Sequence, residues 1–277
     1  MNPIALAGPF AALLGVSIGS FLNVVAYRVP AGLSVVRPAS ACPGCGHAIA
    51  GRDNIPVLSW LMLRGRCREC RMRISARYPA IEILTGLAFL AVTLVVVPEM
   101  LTAPDAASAV ATGIRLVALL YLAAISIALA AIDIDVHRLP DRIVLPSIVV
   151  ALVLLGASCL VENDAAAALR MVIGGAASFV FYFALAFAKP GGMGLGDVKL
   201  AGLLGLYLGC LGWAQLAVGV LAAFVLGGIV GIVLLATRRV RRGGGIPFGP
   251  WMLAGAWLGI FIGVPLAGAY LSLVGIA

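Results

Sequence analysis

Eight apolar runs order the chain, at residues 4–27, 80–98, 113–133, 143–161, 167–188, 198–211, 213–236 and 248–274. A hydrocarbon core is crossed by roughly 20 residues of helix, and all but the sixth run reach or approach that length. None shows the period-two alternation of a half-buried strand. Backbone exposed to lipid must satisfy its own hydrogen bonds, which leaves helices as the remaining solution. The pattern predicts an all-α polytopic membrane protein with about eight transmembrane helices. The sixth run is short and rich in glycine, which points to a tilted or broken span, and the last is longer than one crossing needs. No repeat of solenoid type is visible.

One long polar stretch, residues 28–79, separates the first two runs. It divides the chain into a first transmembrane helix at 1–27, a small domain at 28–79 and a membrane domain at 80–277. The stretch from Met1 to Pro9 lacks a positive n-region, and no small-residue cleavage site follows. The first run therefore reads as a retained span rather than a signal peptide.

Composition agrees with lipid as the solvent. Apolar residues make up 63% of the chain and charged residues 11%, against roughly 45–50% and 25% in soluble domains. An ordinary soluble enzyme and a disordered chain are both excluded. The net charge of +8 arises from 19 basic and 11 acidic residues, and their placement decides what it means. With 28–79 in the cytoplasm, eight alternating spans also put 134–142, 189–199 and 237–247 inside. Those four segments hold 17 of the 19 basic residues, including Arg238, Arg239, Arg241 and Arg242. The outside loops keep Arg115 and Arg170 nearby and carry Glu99, Asp105, Glu162 and Asp164. Basic residues collect on the cytoplasmic side of spans, so the charge reports orientation in the membrane, not a nucleic-acid partner. Both termini are expected outside.

The 28–79 domain contains Cys42-Pro-Gly-Cys45 and Cys67-Arg-Glu-Cys70, with 21 residues between the pairs. Two such pairs offer four thiolates to one tetrahedral ion, the pattern of a zinc ribbon. Gly44 and Gly46 ease the first turn. A domain this small buries little core, so a metal is a natural staple. Two disulfides are the alternative, which a reducing cytoplasm disfavours. Four thiolates close the coordination shell, so the ion is structural. His47, near Cys45, reads as a surface histidine with a substitute ligand as the alternative, and Cys159 and Cys210 read as small core residues.

Acids at membrane boundaries are functional candidates. Asp133 ends the third run, and Asp197 opens the sixth after Gly-Gly-Met-Gly-Leu-Gly. Both fall at the predicted cytoplasmic ends of their spans, so they share a depth. Two facing carboxylates share a proton: one then activates water while the other protonates a scissile carbonyl oxygen. The glycines permit an unusual backbone and close approach of a substrate strand. A place near a helix N-terminus favours Asp197 as the base. The competing readings are an N-cap for Asp197 and a proton or ion pathway for the pair. Asp135 and Asp141 read as solvated or capping groups, with Pro140-Asp141 as turn chemistry.

The chain resembles the bifunctional type IV prepilin peptidases (prepilin leader peptidase/N-methyltransferases) over nearly its whole length. The resemblance rests on Gly19-Ser20-Phe21-Leu22-Asn23-Val24-Val25-Ala26-Tyr27-Arg28, the cysteine pairs, Asn54-Ile55-Pro56, Ser59-Trp60, and Arg64-Gly65-Arg66 before Cys67. Arg77-Tyr78-Pro79 with Glu82, Ile132-Asp133-Ile134-Asp135, Leu139-Pro140-Asp141, and Gly194-Leu195-Gly196-Asp197 with Lys199 complete it. It implies that Asp133 and Asp197 are the catalytic pair, with Gly194, Gly196 and Lys199 in the active-site loop. It implies cleavage of a basic leader after glycine in prepilins or pseudopilins, then N-methylation of the new terminus by S-adenosylmethionine. Asp135 and Asp141 are candidates to attract that leader. Asn23, Arg28, Asn54, Arg77 and Glu82 are candidates for the cofactor, with capping and docking of the domain as an equal alternative; Gly19 and Ser20 belong with them. No G-x-G-x-x-G follows a strand, so no Rossmann-type cofactor site is expected. Readings from other classes are a non-enzymatic pilus or secretion assembly factor, a proton-coupled transporter, or a peptidase with a purely structural ribbon.

Overall fold

Lipid offers no partner to a backbone N–H or C=O, and each of the eight apolar runs becomes one long helix. The computed structural model describes residues 3–189, 193–237 and 247–275. The arginines at 238–242 and the glycines at 191 and 192 lie outside the described residues. The helices are α1 (Pro3–Arg28), the short α2 (Leu58–Met62), α3 (Arg77–Leu101), α4 (Ala106–Val136), α5 (Asp141–Glu162), α6 (Ala165–Ala188), α7 (Leu195–Leu211), α8 (Trp213–Ala236) and α9 (Gly249–Leu273). The largest departure from the expected bounds is α4, which begins at Ala106 instead of residue 113. Its start is fixed by Asp105, whose carboxylate accepts the Ser108 N–H at 2.8 Å, and the alanine-rich stretch that follows favours helix.

Seven of the described helices are long and apolar enough to cross a membrane. The eighth, α7, has 17 residues, about 26 Å at ~1.5 Å per residue. It is a continuous helix rather than a broken one, and it is the most buried, packing against α5, α6, α8 and α9.

The chain divides into two units: residues 1–104 with 119–128, and residues 105–118 with 129–277. In the first, α1 and α3 pack closely. Gly8, Ala11, Gly15, Gly19, Leu22 and Ala26 are buried on α1 at helical spacing, and a Cβ at Gly15 would lie 2.7 Å from the Thr85 carbonyl. This is the small-residue packing that membrane helices use where lipid supplies no hydrophobic drive.

The second unit repeats the device twice. Gly174 and Gly175 of α6 lie on Gly202, Gly205 and Gly209 of α7, and Gly219 of α8 lies on Gly255 and Gly259 of α9. The Tyr207 hydroxyl, buried in this unit, donates to the Ala118 carbonyl of α4 at 3.1 Å. Gly205→Ala is expected to destabilise strongly, because its Cβ would meet the Gly174 carbonyl and Ser178. Overpacking of this kind costs about 1–3 kcal/mol. Gly156→Ala, on the same unit with open space around it, is expected to be neutral or stabilising. Thermal unfolding in detergent compares the two. Equal midpoints would remove the seam as a source of stability.

Candidate functional site

Asp133 lies one turn before the end of α4 and is buried. The helix closes at His137, which takes a left-handed conformation (φ 52°) and donates its N–H to the Asp133 carbonyl at 2.9 Å. The Asp133 carboxylate accepts, through Oδ2, the N–H of Gly249 at 3.1 Å. Gly249 opens α9, so Asp133 sits at the positive end of that helix.

Asp197 is half-buried in the first turn of α7. Its Oδ2 accepts the Gly194 N–H at 3.1 Å, and its own N–H donates back to the Gly194 carbonyl at 3.1 Å. Asp197 is thus the acid half of a capping arrangement. Each carboxylate keeps one oxygen without a hydrogen-bond partner among the described residues. The two lie within electrostatic range of each other. Leu139 lies against a glycine beside each of them: a Cβ at Gly196 would lie 3.0 Å from Leu139 Cβ, and one at Gly249 would lie 3.4 Å from Leu139 Cδ2. Tyr182 of α6 is in range of the Asp197 charge, and its ring packs on Phe224 and Phe248.

The helix-end argument that favoured Asp197 as base no longer separates the pair, because Asp133 also accepts an N–H at a helix start. That partner is distant in sequence, and no pattern around Asp133 announces it. The only local signal is Pro247-Phe248-Gly249-Pro250 at the entry to the last span, where proline suits a first helical turn.

The remaining loop candidates gather at the same helix ends. Lys199 Nζ bonds both carboxylate oxygens of Asp141, at 2.7 and 2.8 Å, which ties the start of α7 to the start of α5. Asp141 stays exposed on its other side, and Asp135 is exposed. Gly194 precedes α7 in extended conformation (φ −81°, ψ 152°).

In the first unit the cysteine pairs form two matching knuckles. The Cys42 N–H donates to the His47 carbonyl at 2.9 Å, and the Cys67 N–H to the Met72 carbonyl at 2.8 Å. The left-handed residue is Gly46 (φ 71°) in the first knuckle and Arg71 (φ 60°) in the second. Gly65, at φ 66°, lies against the Trp60 ring, and that indole N–H donates to the Ile74 carbonyl at 3.1 Å. The Arg68 guanidinium grips Asp53 with bonds of 2.6 and 2.8 Å and holds its carboxyl below the usual carboxylate range.

All four cysteines are free thiols, so the disulfide reading is not realised. Their sulfurs lie within 4.8 Å of one another, with Cys42 and Cys70 at 3.7 Å. A tetrahedral ion with metal–sulfur bonds near 2.3 Å sets its ligands about 3.8 Å apart. The N–H groups of Cys45 and Gly44 lower the Cys42 thiol to about 6, whereas, against the Met72 N–H, burial and the other three sulfurs push the Cys70 thiol up to about 11, so a single thiolate is favoured within the cluster.

The polar residues flanking this domain serve as its joints. Asn23 Nδ2 donates to the Gly19 and Tyr78 carbonyls at 3.3 and 3.2 Å, and Arg28 Nη1 to the Ser34 carbonyl at 2.9 Å. Buried Glu82 accepts the Val57 N–H at 2.7 Å. Val57 has φ 61°, a backbone that β-branched residues rarely take, so Glu82 holds a strained turn. Asn54 and Arg77 are exposed.

Two family models match the chain: the bacterial peptidase A24 N-terminal domain over residues 13–96, and the type IV leader peptidase family over residues 119–232. The chain is 34% identical to a prepilin leader peptidase/N-methyltransferase of Aeromonas hydrophila, covering 94% of this chain and 92% of that one. It is 36% identical to one from Burkholderia pseudomallei (95% and 88%) and 35% identical to one from Pseudomonas putida (96% and 94%). No solved structure matches the chain.

Proposed function

This chain belongs to the type IV leader peptidase family, and from that premise we propose how it works as a prepilin leader peptidase and N-methyltransferase of the inner membrane. Asp133 and Asp197 form the peptidase dyad. The supporting observation is their setting: two carboxylates in range of each other, each with one oxygen bonded to a backbone N–H and one oxygen open.

The pair shares one proton, because two carboxylates that serve one reacting bond do not both ionise. The ionised member takes a proton from water as that water attacks the scissile carbonyl carbon. The protonated member gives its proton to the carbonyl oxygen. Collapse of the tetrahedral intermediate expels the new amine, which takes back a proton, and no covalent enzyme intermediate forms. The roles belong to the coupled pair rather than to either residue.

The substrate is a prepilin or pseudopilin, cut after the glycine of its basic leader. The basic loops 28–79, 134–142, 189–199 and 237–247 face the cytoplasm by the positive-inside rule, with both termini outside. The Asp133 and Asp197 helix ends then meet the leader where its apolar helix enters the bilayer. Asp135 and Asp141 attract the leader. Asp135→Asn/Asp141→Asn should raise KM several-fold at low salt and little at high salt, since surface attraction is screened. The Lys199 pair makes Asp141 part of an α5–α7 joint as well, so salt dependence is the readout. A KM ratio independent of salt would sink the idea.

Zinc fits the four thiolates by donor type and spacing. Methyl transfer resides in this first unit, with S-adenosylmethionine supplying an electrophilic methyl group when bound. The chain's part is to present the freshly cut amine unprotonated. Exposed Asn54 and Arg77 serve the cofactor, while Asn23, Arg28 and Glu82 hold the domain. Purified protein in lipid, given full-length prepilin with and without S-adenosylmethionine, tests the whole reading by mass. Leader loss in both conditions and a methyl increment only with the cofactor are expected. Absence of leader loss would overturn it.

A further inference from the structure

Gly249 lies where a side chain would collide with a candidate catalytic atom. A Cβ built there would stand 2.7 Å from Asp133 Oδ2 and 3.3 Å from its Cγ. The residue is buried, opens α9, and donates its N–H to that same oxygen. Pro250 follows it, so the next position of the turn has no N–H to give. Phe248 before it packs on Tyr182 and Phe224, which fixes the end of α9 against α6 and α8. Leu139 fills the space between Gly249 and Gly196, the residue before Asp197.

We infer that Gly249 positions the Asp133 carboxylate for cleavage, with Leu139 as the spacer between the two aspartate-bearing turns. This rests on the dyad reading of Asp133 and Asp197. The bare backbone at 249 brings one N–H onto Oδ2 and leaves Oδ1 for the chemistry. Leu139 keeps the two turns at a set separation because neither glycine offers a side chain to displace it. Alanine at 249 would be met by the free end of an aspartate side chain rather than by backbone. The carboxylate would swing aside while the helices stayed in place. A misplacement of about 1 Å at a reacting group costs on the order of 100-fold in rate.

The test uses the full-length protein in lipid with Gly249→Ala, Asp133→Asn and Gly268→Ala. Gly268 is on the same helix with open space around it, so its alanine variant serves as the control. Each is assayed for leader cleavage and for methyl transfer to a pre-cleaved pilin. The inference expects Gly249→Ala to lose roughly 100-fold in kcat, with KM within about two-fold and methyl transfer retained. Gly268→Ala should match the unaltered protein. Wild-type cleavage by Gly249→Ala beside an inactive Asp133→Asn would overturn the inference and leave the dyad standing. Cleavage by Asp133→Asn would instead overturn the dyad. Parallel loss of cleavage and methyl transfer in Gly249→Ala would mark a structural glycine, which also overturns the inference.

Discussion

Asp133→Asn and Asp197→Asn are each expected to abolish leader cleavage, by about 10³-fold or more, while methyl transfer to a pre-cleaved pilin persists. The magnitude follows from general acid–base catalysis, which supplies roughly 10²–10⁴-fold per proton transfer. An amide in place of either carboxylate breaks the shared proton, so both transfers fail together. The double variant should be no slower than either single one, because residues that act as a unit are not additive. The two proteins should remain folded. Asparagine keeps an oxygen that can accept the Gly249 or the Gly194 N–H, the bonds that anchor each side chain. A single-turnover assay on full-length prepilin, followed by mass, reads the loss. Residual cleavage within tenfold of wild type in either variant would remove that residue from the chemistry and return it to a capping role.

The second large effect concerns the four thiols. Cys42→Ser should lose the bound metal and, with it, methyl transfer, while leader cleavage falls far less. Structural zinc contributes about 10–16 kcal/mol of apparent binding free energy in comparable small domains. Apart from a metal, the 28–79 segment is held by the backbone pairings of the two knuckles, the Arg68–Asp53 pair, the Trp60–Ile74 bond and the joints that Asn23, Arg28 and Glu82 make at its edges. A strong chelator should act on the unaltered protein as the serine does. Metal content by mass spectrometry and methyl transfer on a pre-cleaved pilin are the paired measurements. Full metal content in Cys42→Ser would show that the sulfur is not a ligand. Equal loss of both activities would mean that the domain supports the whole enzyme rather than one half of it.

The long helices were readable from the sequence because lipid permits one solution to an apolar run. The bounds of α1, α5, α6, α8 and α9 differ from the runs by three residues at most. The cysteine knuckles were equally plain, since both pairs are local and metal geometry dictates their spacing. Legibility ended where contacts became long-range. Asp133 and Gly249 are 116 positions apart, and nothing near either residue encodes the other. The Lys199–Asp141 pair spans 58 positions, and the Glu82–Val57 bond 25. Glu82 is a candidate for the cofactor through the family resemblance, and its partner here is the Val57 backbone N–H, a group that no motif announces. Arg71 shows a different gap: the second knuckle places an ordinary side chain in the left-handed position that glycine takes in the first, because the paired bonds of the turn outweigh local preference.

The glycine seams also set where this protein is free to vary. Along α6–α7 and α8–α9, backbone touches backbone, and a single methyl group is too large at Gly205, Gly209, Gly255 or Gly259. Facing outward, Leu160, Phe187 and Leu221 meet no such limit and need only remain apolar. Substitution is therefore expected to be cheap in the shell that touches lipid and costly along the seams. Tolerance in such a molecule lies on its outer faces, and intolerance along the narrow lines where backbone meets backbone.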